Sequence, residues 1–208
     1  MTDLLRGTPG DLRTAGLLLF AVGAGFITVS MLAASIAPGY DFHAAAISDL
    51  GVIGETALLF NGLLVAVGVL NAAGGYLFYR SHRRRGLLAI YLVAGIGAIG
   101  AGLLPLDTGG LHSLFALLAF LSFNIEAIAT AAVLTGTMRL VSIGAGAIGL
   151  VYVVIMVIGD AGNPAIFGAI GHGGSERMIA YPALLWTLAL GGYLMARPRT
   201  DEVEPRPA

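Results

Sequence analysis

Long apolar runs separated by short polar stretches set the pattern of this chain. A membrane-spanning helix needs roughly 20 mostly apolar residues. Six runs meet that length, at about 15–37, 55–79, 86–104, 112–134, 141–159 and 178–196. Pro38-Gly39 stops the first, Pro105 the third and Arg197-Pro198 the sixth, as residues that cannot continue a helix should. The pattern predicts an all-α fold, a bundle of six transmembrane helices within 1–196. The charged, Pro-containing tail at 197–208 is expected to be disordered and cytoplasmic. The first run exceeds the about 7–15 residues of a signal-peptide core, so it is expected to remain as a span. No stretch between the runs is long enough to bury a core of its own.

Charge orients the runs. With six spans, Arg6, Arg13, Arg80, Arg83, Arg84, Arg85, Arg139, Arg197, Arg199 and Arg206 all fall on one side, and Arg177 alone falls on the other. The second side carries Asp41, Asp49, Glu55, Asp107, Asp160 and Glu176, with His43, His112 and His172. Short basic connections stay cytoplasmic. Both termini are therefore expected inside, in the cell membrane, with the acidic connections outside. The Arg83-Arg84-Arg85 run reads as a topology anchor beside anionic headgroups.

Composition narrows the chemistry. Only 11% of residues are charged, against about 25% in soluble domains. The net charge of −1 gives no reason to expect a nucleic-acid partner. The absence of Cys excludes disulfides, thiolate metal sites and cysteine nucleophiles.

Each acidic connection opens on a related pentapeptide: Ile47-Ser48-Asp49-Leu50-Gly51, Pro105-Leu106-Asp107-Thr108-Gly109 and Ile158-Gly159-Asp160-Ala161-Gly162. Phe60-Asn61 and Phe123-Asn124 follow the first two. The shared Asp-x-Gly step suggests three related helical hairpins. It is also ordinary turn chemistry, in which Asp bonds its own backbone and Gly supplies a positive φ.

His112 opens the fourth span and Glu126 lies nearly four turns deeper on the same face, about 21 Å along the axis. A carboxyl inside a span is a functional-site hypothesis by default. The competing reading is a Glu that only glues helices together, with Asn71 as its partner. Glu176, Arg177, Tyr181 and Pro182 open the sixth span. Arg177 is unfavourable at a helix start and calls for a partner: Asp49, Asp107, Asp160, or an anion such as a lipid phosphate. The Gly-rich approach around His172 reads either as a flexible loop or as backbone facing an anion. Trp186 reads as packing. The histidines lack any short ligand spacing, so no metal site or cofactor is expected.

These residues together resemble a known family. Ile47-Ser48-Asp49-Leu50-Gly51, the Gly-rich third span ending Gly102-Leu-Leu-Pro105-Leu-Asp107, His112, Gly174-Ser-Glu176-Arg177, Tyr181-Pro182 and Trp186 look like the prokaryotic six-span family catalogued as domain of unknown function 998. The resemblance covers nearly the whole chain. It implies a six-helix integral membrane protein and lends no catalytic residues. Its signature polar positions correspond to Asp49, Asp107, His112, Glu176 and Arg177.

The expectation is therefore an outward-facing polar pocket of Asp49, Asp107, His112, Glu176 and Arg177. It would bind a membrane-lipid headgroup or another small polar or anionic ligand. The rivals are an intramembrane hydrolase or transferase using His112 with Asp49 or Asp107, with or without a metal, a transporter with Glu126 as a proton-linked carboxyl, and a structural subunit.

Overall fold

The computed structural model describes residues 9–196. Arg6 and the tail expected at 197–208 lie outside the described residues. Six long helices carry the fold: α1 (Pro9–Ile36), α2 (Ala57–His82), α3 (Arg85–Leu103), α4 (Gly110–Thr130), α5 (Gly136–Asp160) and α6 (Gly171–Met195). Short 3₁₀ turns fill Ser48–Gly51, Leu106–Thr108, Ala131–Val133 and Pro164–Ile170. All six helices are long and apolar enough to cross a membrane. Large apolar side chains such as Leu58, Leu103 and Leu140 stand exposed, as a lipid-facing surface requires. This is a multi-pass membrane protein.

The helices close into a ring in chain order, each packed on the next and α6 packed back on α1. Glycine permits the tightest crossings. A Cβ on Gly16 would meet the Gly191 carbonyl oxygen at 2.8 Å, and one on Gly95 would meet that of Gly68 at 2.7 Å. Backbones approach this closely only where side chains are missing. Inside the ring α4 also touches α6, which pushes α5 outward. The most apolar window of α5 is 22% buried, against 50% for α6.

Polar contacts add to the packing. Asn71 on α2 donates from Nδ2 to Glu126 Oε2 on α4 at 2.8 Å and to the Tyr91 carbonyl on α3 at 3.3 Å. Trp186 Nε1 donates to Ser142 Oγ at 2.7 Å, tying α6 to α5. Asn124 on α4 donates to the Ile179 carbonyl of α6 at 3.1 Å.

The start of the sixth helix departs furthest from the sequence reading. The sixth helix begins at Gly171 rather than near residue 178. The Gly-rich stretch is its first turn, not a loop, so Glu176 and Arg177 sit in the second turn. The reason is tertiary. Residues 42–45 of the first connection lie directly on this turn, and Gly173 N–H donates to the His43 carbonyl at 3.0 Å. A Cβ on Gly173 would meet the Phe42 carbonyl oxygen at 2.6 Å. Only glycine leaves room for both helix and connection.

Candidate functional site

The connections bearing Asp49, Asp107 and Asp160 lie at one end of the bundle, opposite the arginine-rich Arg80–Arg85 corner. At this acidic end the 37–56 connection folds over the ring as a roof. Tyr40, Asp49 and Arg177 hold it. Arg177 Nη1 donates to the carbonyls of Phe42 (3.0 Å), Ala45 (3.2 Å) and Gly173 (2.7 Å), and Nη2 donates to the Tyr40 hydroxyl. The guanidinium also lies over the Phe42 ring, 4.6 Å from its centroid. Tyr40 passes a hydrogen bond on to the Ala46 carbonyl at 2.8 Å. Burial pushes the Tyr40 hydroxyl up to about 12, offset in part by the neighbouring guanidinium. It therefore stays a neutral donor and acceptor.

The acid partner expected for Arg177 is not what the structure provides. Backbone carbonyls and Tyr40 take that place. Asp49 instead accepts the Ala46 N–H at 2.8 Å and fixes the turn that follows. Asp107 is exposed on its own turn, with no hydrogen bond or ion pair among the described residues. Asp160 pairs with His172 at 3.2 Å between half-exposed side chains, a contact worth little in water. The Asp-x-Gly turns share their chemistry only partly. Gly109 and Gly162 have positive φ (73° and 112°). Gly51 does not, and is small because Asn61 presses on it, donating to its carbonyl at 2.8 Å.

Beneath the roof a slot runs into the bundle, about 630 Å³ together with the open solvent at its mouth. Its walls come from α1 (Phe26), α2 (Phe60, Leu64, Val67), α3 (Ala98, Ala101), α4 (Ala116, Ala119, Phe120, Phe123) and α6 (Ile179, Ala180, Leu184). α5 contributes nothing. From His112 to Asn124, both lining residues, the slot follows α4 for about 18 Å at 1.5 Å per residue.

The polar lining at the roofed end is sparse: His112, Ser48 and Glu176. Glu176 is buried; one carboxyl oxygen accepts the Ile47 N–H and the other lies 3.4 Å from the Ser48 hydroxyl. His112 is 3% exposed. Its Nδ1 lies 2.7 Å from the Leu104 carbonyl oxygen. Its Nε2 has no hydrogen-bond partner among the described residues.

Of the five residues expected to form one pocket, His112 and Glu176 line the slot, Asp49 and Arg177 build its roof, and Asp107 stands apart. Ser48, Tyr40 and Asn124 carry parts of the arrangement. Ser48 and Asn124 lay inside the sequence steps already singled out; Tyr40 had no such signal. Glu126 does not line the slot. It is wholly buried against Asn71, the partner that the sequence suggested.

The family described as "Protein of unknown function (DUF998)" matches residues 12–193. No curated protein and no solved structure matches the chain.

Proposed function

This chain belongs to the DUF998 family of unknown function, and for it we propose a binding role: the slot takes an amphipathic lipid, tail inward, with its polar head under the roof. The division of the slot carries this reading. Its walls are aliphatic and aromatic along three turns of α4, and apart from Asn124 at the deep end its polar side chains gather under the roof. Ligand sites are commonly apolar with a few polar groups that fix orientation, and a single hydrocarbon tail fits such a wall. The arginine asymmetry supports an outward-facing roofed end, level with the outer headgroups.

The rival readings draw less support. A hydrolase would need His112 beside a nucleophile, but the Ser48 hydroxyl is directed at Glu176 and His112 Nδ1 at a carbonyl. A transporter using Glu126 would need that carboxyl on the path, and it is bonded to Asn71, outside the slot lining.

Lipid extracted from detergent-purified protein tests the proposal. Mass spectrometry should find a retained lipid in the wild type that Ala116→Phe, which fills the slot, loses while keeping its thermal stability. Retention unchanged by the filling substitution would refute the reading.

A further inference from the structure

The polar end of the slot has a definite hydrogen-bonding character. The Leu104 carbonyl beside His112 Nδ1 can only accept, so Nδ1 carries the hydrogen. In the neutral ring Nε2 is then a bare acceptor. It is buried, without a partner among the described residues, on a side chain that lines the slot. The Glu176 carboxyl oxygens both accept already, from Ile47 N–H and from the Ser48 hydroxyl, whose own hydrogen is thereby used. The one nearby cation, Arg177, is committed to the roof carbonyls and Tyr40 and is not part of the lining. With the His112 ring neutral, the slot offers acceptors and no positive charge.

We infer that the slot selects a lipid whose head is an uncharged hydroxyl on a single long hydrocarbon chain, donating to His112 Nε2; this rests on the slot being the ligand site. An anionic carboxylate or phosphate would bring more acceptors to a site already made of them. An ammonium brings three donors and a full charge, which an apolar slot disfavours. A hydroxyl brings one donor and no charge. Long-chain alcohols carry one such hydroxyl and monoacylglycerols carry two beside an ester, and neither carries a charge.

The test uses the full chain in phosphatidylcholine nanodiscs and a pyrene-labelled long-chain alcohol as the displaced reporter. Hexadecanol and monopalmitoylglycerol should compete about tenfold or more better than hexadecanoate, hexadecyl phosphate or hexadecylamine, a gap of about 1.4 kcal/mol. If only one of the two hydroxyl lipids competes, the hydroxyl chemistry stands and the source is identified. His112→Phe keeps a ring and removes the acceptor, so it should erase the preference while tail binding persists. Equal affinities, or preference for an anion or the amine, in the wild type would overturn the inference even if His112→Phe fails to fold. A preference unchanged in a folded His112→Phe would overturn it too. Failure of every probe to bind folded wild-type protein would instead remove the ligand-site reading beneath it.

Discussion

Arg177 on α6 donates to the hydroxyl of Tyr40, and Tyr40 donates in turn to the Ala46 carbonyl. A single guanidinium thus fastens a connection that lies far from it in the chain. Arg177→Ala would leave the Phe42 and Ala45 carbonyls without their donor. Hydrogen bonds to charged groups contribute about 1.5–3 kcal/mol. A loss of about 2 kcal/mol lowers Tm by roughly 4–8 °C in a chain of this size. Tyr40→Phe should cost about 1 kcal/mol, and the double mutant less than the sum. Asp49→Asn should not rescue Arg177→Ala, because Asp49 bonds the Ala46 N–H instead. Thermal unfolding in detergent reads all four. Strict additivity between Arg177 and Tyr40 would contradict the shared contact.

The first turn of α6 makes a sharper demand on size. Gly173→Ala forces a methyl group onto the Phe42 carbonyl and within 2.9 Å of Arg177 Nη1. It should destabilise the protein and expose the roof to protease. Gly192→Ala is the control, since a Cβ there meets nothing within 4 Å. Alanine is the better helix former, so that change should be neutral or slightly stabilising. Equal behaviour of the two variants would show that the roof does not rest on Gly173.

Glu126 separates glue from proton chemistry. Gln keeps an acceptor for the Asn71 amide, so Glu126→Gln should fold with near-normal stability. Glu126→Ala removes that acceptor and leaves a hole, a loss on the order of 2 kcal/mol. Single interhelical hydrogen bonds in membranes contribute about 0.6 kcal/mol, so most of the Ala effect should come from packing. A Gln variant as unstable as the Ala variant would mean that the carboxyl itself is required.

Orientation is open to direct labelling, because the chain has no Cys of its own. Cysteines placed at Arg84 and Asp160 should react from opposite faces of the membrane, Arg84→Cys from the cytoplasm and Asp160→Cys from outside. Reaction of both from one side would contradict the six-span arrangement.

The spans were readable because hydropathy over some twenty residues is a property of sequence alone. Their ends were readable where Pro or Arg marks them. The start of α6 was not. Gly171–Gly174 has poor intrinsic helix propensity, and only the chain lying across it explains why it is helical. The same limit applied to the site. His112 and Glu176 stood out as polar residues beside apolar runs. The partners of Arg177 did not, since backbone carbonyls have no signature in sequence. Nor did the slot walls: Ala98, Ala101 and Ala180 are indistinguishable by type from alanines that face lipid. The face from His112 through Ala116, Ala119 and Phe123 was legible by helical spacing, though Glu126 at its far end turns to Asn71.

The seam between α1 and α6 joins the two helices farthest apart in the chain, with Gly16 against Gly191, near where one begins and the other finishes. Every other neighbour in the ring is consecutive. Phe26 lies on one side of that seam and Ile179 and Leu184 on the other, and all three wall the slot. A chain still being synthesised has no slot until its final helix docks. Up to that moment the walls are ordinary bilayer-facing surface. The slot is therefore a property of the closed ring and of no single hairpin, and a chain cut short before α6 should lack it.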